Sequence, residues 1–316
     1  MKNILSIAGI FVMVMITSQN ISAKDSEKII SHAKSESFDI SLIKEKLESK
    51  ADNVLPVDIE IKMLEELESF KLGRFLLENK GLNGYWTSYI ILYAPLKSNL
   101  STMESWLIND APIIKATRER FYIFRRLLQQ NLKSNSKIAS IPCGTMDDLL
   151  GLDYRNKAGV QIVGIDLDDA SLELARENAR KYSNDNVEFY KKDAWNLGLT
   201  DEFDIITSNG LNIYEPDDDR VIELYKGFYN ALKKDGILLS SFVTPPPSIS
   251  PDSPWKNFDK NNALKQKAIF SDIIGVMWQS YRTETQTKYL LAQAGFKDIE
   301  FIYDTQNMFP TFVARK

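Results

Sequence analysis

The chain has 316 residues, 44% of them hydrophobic and 26% charged, enough to bury a sizeable core in one large domain or two modest ones. Its formal charge is −4 with no long basic run, which argues against a dedicated nucleic-acid binder, since neutralised phosphates supply most of that affinity. One cysteine, Cys143, excludes an intramolecular disulfide, and one histidine, His32, leaves no Cys/His cluster with zinc spacing, so no metal site is expected.

Met1–Ala23 carries Lys2, an uncharged apolar run from Ile4 to Ile16, and Ile-Ser-Ala before Lys24. The run is too short for a stable transmembrane span and has the layout of a secretory signal cleaved after Ala23. A cleaved signal implies a secreted or periplasmic protein; a later start at Met13 or Met15, or a helix packed on the domain, implies a cytoplasmic one. Residues 24–134 read as a helical region, because Ile40, Ile43, Leu47 and then Ile59, Met63, Leu64, Leu67 and Phe70 recur at steps of three and four. Pro56, Pro95 and the Gly81–Gly84 turn punctuate it. The aromatic stretch that follows, with Tyr85, Trp86, Tyr89 and Tyr93, has two readings. It is either a buried packing face or a lid in which Tyr85 and Trp86 contact a substrate. A helix over Pro112–Leu132 mixes Arg118, Arg120, Arg125 and Arg126 with apolar residues. Its arginines form a solvated or ion-paired face, unless Arg118 or Arg125 reaches a ligand carboxylate, which the guanidinium fork matches.

From Lys137 the pattern changes to strands. Ile138, Ala139 and Ile141 form a buried strand, Cys143-Gly144-Thr145 a turn, Met146–Leu150 a short helix, and Val160, Ile162, Val163 and Ile165 a second strand that ends on Asp166. This βαβ unit requires a right-handed crossover. Ligands of open α/β sheets sit beyond the carboxyl edge, and an acid at the end of the second strand is placed to accept from ribose hydroxyls, so an adenosine-type cofactor is expected. Gly144 allows close backbone approach, Pro142 removes a donor, and Cys143 reads as a small apolar filler. Asp168 or Asp169 caps the next helix, Ala170–Tyr182. Strands follow at Val187–Tyr190, Phe203–Thr207 and Ile237–Val243. A helix over Val221–Leu232 is expected to stop at Lys-Lys-Asp-Gly, with Gly236 as its terminator. An insertion over 244–282, opened by a proline-rich segment and carrying Trp255, Phe258, Met277, Trp278 and Tyr281, either covers a substrate or simply packs on the helices. A helix over Thr283–Ala294, capped by Gly295, and strands at Ile299–Tyr303 and Phe309–Ala314 close the chain.

The ordered series SIPCGTMDDLL, GIDLDDASLELARENA, NVEFYKKDAW, FDIITSNGLNIY, LKKDGILLSSF and LLAQAGFKDIEFIYD resembles a class I S-adenosylmethionine-dependent methyltransferase over 135–316. The resemblance implies an α/β, Rossmann-like, mostly parallel seven-stranded sheet of order 3-2-1-4-5-7-6, preceded here by an all-helical region. It implies S-adenosyl-L-methionine as cofactor, held by the Pro142-Cys143-Gly144 turn, by Asp166 and Leu167 at the ribose, and by Asp193, Ala194 and Trp195 at the adenine. Asn209 is placed towards the transferred methyl. Tyr214 and Asn209 are the catalytic candidates, for proton removal and orientation, with Tyr85, Trp86, Asn212 and Tyr214 as substrate contacts. The implied reaction is in-line methyl transfer to an O, N, S or C nucleophile of a small or medium-sized acceptor, driven by orientation and exclusion of water. One departure stands out: Ser140, Pro142 and Met146 fall where the family has an acid and two glycines. The alternatives are a catalytically silent binding protein on the same fold and, less favoured because Gly-x-Gly-x-x-Gly is absent, a dinucleotide-dependent oxidoreductase.

Overall fold

The computed structural model describes residues 39–184, 186–276 and 280–316. The signal-like segment, the first part of the helical region, and Met277 and Trp278 lie outside the described residues.

Seven strands form one sheet of order β3-β2-β1-β4-β5-β7-β6, as expected. They are β1 (Lys137–Ser140), β2 (Gln161–Asp166), β3 (Val187–Lys191), β4 (Phe203–Ser208), β5 (Leu232–Ser241), β6 (Lys297–Ile302) and β7 (Thr311–Arg315). The first five run parallel, and β7 enters antiparallel between β5 and β6. Residues 138–140, 205–208 and 236–241 of the central strands are buried, which is why they read as largely apolar runs instead of alternating ones. One boundary differs from the expectation. The helix over Asp218–Ala231 ends early and β5 begins at Leu232, crossing Lys-Lys-Asp-Gly in an irregularity of the β4–β5 register. Asp235, not Gly236, takes the left-handed conformation (φ 62°). Gly236 is needed for a different reason, because a Cβ there would stand 2.8 Å from the Lys233 carbonyl oxygen and 3.1 Å from that of Phe203.

The helices, numbered along the chain, are α1 (Ile40–Ser49), α2 (Val57–Glu68), α3 (Lys71–Asn79), α4 (Gly84–Ser88, continued by a π-helical turn Tyr89–Tyr93), α5 (Thr102–Asn109), α6 (Pro112–Asn131), α7 (Asp147–Leu150), α8 (Asp169–Lys181), α9 (Asp218–Ala231), α10 (Lys260–Lys267) and α11 (Glu284–Gln293). Asp168 caps α8 by accepting from the Ala170 and Ser171 amides, and Thr283 with Gln286 forms a capping box on α11. The N-terminal helices bury their apolar stripes in a core of their own, which also takes in Ile269, Ile273 and Ile274 of the insertion. A buried carboxylate fastens the two parts: Asp272 accepts from Lys50 Nζ (2.6 Å) and the Val54 amide (2.8 Å). Trp255 and Phe258 pack instead around Val243, Met308 and Phe309. The described part of the insertion therefore packs on the helices and the sheet edge. No described helix is long and apolar enough to cross a membrane.

Candidate functional site

A cavity of about 530 Å³ opens at the carboxyl ends of β1, β2 and β4. Its floor is the chain that leaves β1. The Ile141 amide donates to the Thr207 carbonyl (2.9 Å) and the Cys143 amide to that of Ile165 (2.8 Å), so the backbone stays tied to both neighbouring strands as it turns. Gly144 adopts φ +48°, and its backbone meets that of Gly84 so closely that a Cβ on Gly84 would lie 3.1 Å from the Gly144 Cα. The paired glycines bring the start of α4 down onto the turn and roof the cavity. Met146, also left-handed at φ 57°, fits in place of a glycine because its side chain fills the space over Gly164 of β2, where a Cβ would stand 2.6 Å from its sulfur.

Asp166 closes β2 in the cavity wall, 9% exposed. It accepts from the Gly144 amide (3.1 Å) and the Asp168 amide (3.1 Å), which leaves lone pairs on both oxygens for a ligand. Burial pushes its carboxyl above the usual range against these two hydrogen bonds. Leu167 beside it is 62% exposed, an apolar surface at the cavity's lip. Across the opening stand Asp193, Ala194 and Trp195. Asp193 Oδ1 accepts from the Trp195 amide (2.9 Å), while the indole is pinned by its own N–H on the Arg220 carbonyl (2.9 Å) and by the Arg220 guanidinium 5.4 Å from the ring centre. Pro142 and Cys143 line the turn; burial, then Asp166 and Asp148, push the thiol well up, so it is held neutral and inert.

The segment after β4 brings Asn209, Leu211 and Tyr214 to the far wall. Burial raises the Tyr214 phenol, opposed by Arg120. Asn212 does not line the cavity; it is 1% exposed, turned into the protein. This segment is held by Arg282, 4% exposed, which donates to Asp218, the Asn212 carbonyl and the Glu215 carbonyl. Tyr85 and Trp86 also lie away from the cavity. They belong to the helical core, edge to face with one another at 5.1 Å. The cavity face of this stretch is instead Asn83, Thr87 and Ile91, a spacing of four residues that the sequence already carried.

Of the arginines on α6, the two offered as the alternative carboxylate ligand, Arg118 or Arg125, are committed to the backbone. Arg118 Nη2 donates to the Ile90 (2.9 Å) and Ile108 (2.8 Å) carbonyls, and Arg125 Nη2 to that of Gly151. Arg120 is the one that lines the cavity. Two acids that sequence reading passed over complete the wall. Asp147 accepts from Ser88 (2.7 Å), Thr145 (2.6 Å) and Asn178 (3.0 Å), joining the roof to α8. Asp148, 4% exposed, accepts from Thr207 (3.1 Å) and Ser140 (3.4 Å), and burial raises its carboxyl to about 6. The acid missing from position 140 thus has a counterpart reaching the same place from α7. Two adjacent acids directly after the glycine turn were the signal for it. The short helix is a single turn, and its polar contribution comes from these side chains.

The cavity therefore pairs acceptors along β1 and β2 with a guanidinium and hydrogen-bonding groups beyond β4, under a roof of helices. Comparison with known proteins places this arrangement. Residues 132–295 match a family model described as a methyltransferase domain. The ribosomal protein L11 methyltransferase of Dictyoglomus thermophilum is 25% identical over 153 residues, which cover 47% of this chain and 46% of that protein; the chain spans about half the length of such relatives. A crystal structure of a protein from Bordetella parapertussis, described as a possible exported protein, superposes with a TM-score of 0.85 at 40% identity, over 88% of this chain and 94% of the other. The magnesium protoporphyrin IX methyltransferase of Synechocystis shares the fold at 11% identity and a TM-score of 0.51, over 77% of this chain and 96% of the other. With more than half of its length matched by that family model, the chain belongs to the methyltransferase-domain family.

Proposed function

We propose that the chain binds S-adenosyl-L-methionine in this cavity and transfers its methyl group to a small or medium-sized acceptor. The observation that carries the reading is the placement of three acceptors along the sheet edge: Asp193 after β3, Asp166 at the end of β2, and Asp148 against Ser140 at the end of β1. They suit, in that order, an adenine amino group, ribose hydroxyls and an ammonium. Leu167 and Trp195 offer the apolar faces for the purine between them, and the Gly84–Gly144 approach leaves no side chain in the way of the ligand's backbone.

When bound, the cofactor supplies an electrophilic sulfonium methyl, so no dedicated base is demanded of the protein. Its residues act by orientation and by keeping water out. Asn209 and Tyr214 line the side towards which an acceptor would come. With its phenol held up by burial, Tyr214 acts as a protonated orienting donor at neutral pH and not as a proton acceptor. The acceptor is a small or medium-sized molecule and not a nucleic acid, in keeping with the size of the cavity and the charge of −4. We also propose that Met1–Ala23 acts as a secretory signal, supported by its layout and by the likeness to the Bordetella protein described as a possible exported protein.

The test is calorimetric titration of the chain with S-adenosylmethionine and with NADH, repeated on Asp166→Ala and Asp193→Ala. Micromolar binding of the first ligand alone, lost in both variants, is expected. A folded protein that binds neither ligand, or NADH in preference, refutes the reading.

A further inference from the structure

Arg120 is 8% exposed, yet among the described residues no carboxylate lies within ion-pair distance of it. Among the described residues its guanidinium has one hydrogen bond, from Nη1 to Ser241 Oγ at 3.2 Å, and rests on the Phe309 ring at 4.8 Å, while its Nε has no partner there. Asp304, the carboxylate whose charge it feels, is no substitute, since it is spent on the amides of Gln306, Met308 and Phe309. Burial lowers the guanidinium to about 10, still fully charged at neutral pH. A buried, unneutralised cation with an open donor edge in a cavity wall is costly unless an anion comes to meet it.

Sheet order tells which anion. Arg120 stands over Ser241, at the end of β5, whereas Asp166 ends β2. In the order β2-β1-β4-β5 these ends are three strand spacings apart, about 14 Å. A cofactor with its ribose on Asp166 and its ammonium on Asp148, beside β1, therefore ends short of Arg120. On the cavity side, Arg120 has the start of the segment after β4 as its neighbour: a Cβ on Gly210 would lie 3.3 Å from its Nη1. That segment carries the residues on the acceptor side.

Resting on the cofactor reading above, we infer that Arg120 holds a carboxylate of the methyl acceptor, so that the substrates of this protein are small organic acids. The planar fork suits a carboxylate with two parallel hydrogen bonds, and the Arg120–Ser241–Phe309 arrangement fixes its orientation. Gly210 is then required for space as well as for its φ of +90°.

The experiment loads the full chain with S-adenosylhomocysteine and titrates it with benzoate and, as the neutral control, benzamide, in wild type, Arg120→Met and Arg120→Lys. Folding of each variant is checked by circular dichroism, and the lysine variant keeps the test alive should the methionine variant not fold. The expected result is binding of benzoate but not benzamide, weakened at least tenfold by Arg120→Met and less by Arg120→Lys, with S-adenosylhomocysteine affinity changed less than threefold. Equal binding of the two probes, no binding of either, or benzoate binding indifferent to position 120 overturns the proposal. A tenfold loss of S-adenosylhomocysteine affinity in Arg120→Met, without an effect on benzoate, assigns the guanidinium to the cofactor's own carboxylate and also overturns it. Failure of wild type to bind S-adenosylhomocysteine at all is a different result, which removes the cofactor reading itself.

Discussion

Asp148→Asn should make the folded protein more stable and its cofactor site worse. The buried carboxyl of Asp148 is raised from an ordinary 3.8 to about 6, burial being the main cause, with the Leu149 amide, Thr207 and Ser140 opposing it. A carboxyl raised on folding holds its proton in the native state while the unfolded chain has lost it, so stability falls as the pH climbs from about 4 to about 6. At about 1.4 kcal/mol for each pH unit, this carboxylate costs the native state about 3 kcal/mol at pH 7. Asparagine, neutral like the protonated acid, keeps the shape and an oxygen that accepts from Thr207 or Ser140, and the hydrogen bonds that oppose burial are already counted in the value of about 6. The net gain is therefore about 3 kcal/mol at pH 7, or roughly 4–5 °C in Tm for a chain of this length. The assay is thermal melting of both proteins at pH 7.0 and pH 4.0. Asp166, Asp304 and Glu60, also raised by burial, are common to both, so the difference between the curves isolates position 148. That difference should vanish at pH 4.0. The same variant should lose roughly tenfold in affinity for S-adenosylmethionine, and almost nothing for 5′-methylthioadenosine, which has no ammonium. A variant less stable than wild type at pH 7.0, or equally stabilised at both pH values, would refute the reasoning.

Two further substitutions separate structural from ligand-facing roles. Arg118→Met leaves the buried Ile90 and Ile108 carbonyls without their donor; unfolding titrations should show a loss of about 2–3 kcal/mol, while calorimetry shows cofactor affinity within twofold of wild type. Gly73→Ala places a Cβ 2.0 Å from the Leu67 carbonyl oxygen, where α3 packs against α2. Overpacking there should cost about 2–3 kcal/mol in Tm-derived stability, with no change in the residues around the cavity.

The sheet was legible because its central strands are buried on both faces and bounded by glycine turns and acids, and because a resemblance running through every strand in order left a single topology. Asp166 and Asp193 were legible for the same reason, since a strand's end is a fixed place at the sheet's edge. The arginines of α6 were not. Residues 118 and 125 share one face of a helix and 120 another, but periodicity cannot say which face meets carbonyl oxygens and which meets a cavity. That was decided by the backbone carbonyls of Ile90, Ile108 and Gly151, which lie outside the helix and its own pattern. Tyr85 and Trp86 drew attention by size, yet large aromatics go where most area can be buried, and here that is the helical core. Lys233–Gly236 looked like a helix stop, but pairing of Leu232 with Phe203 captured it for the sheet. The apparent defect at Ser140, Pro142 and Met146 resolves in part through residues elsewhere: Asp148 stands beside Ser140, and Gly164 makes room for Met146.

The most direct test of the cofactor site is a crystal structure of the chain with S-adenosylhomocysteine bound. The account predicts the ribose hydroxyls on Asp166, the adenine between Leu167 and Trp195 with its amino group towards Asp193, and the ammonium facing Asp148. A ligand bound elsewhere, or one lying in this cavity with its adenosine turned away from Asp166 and Asp193, would contradict it.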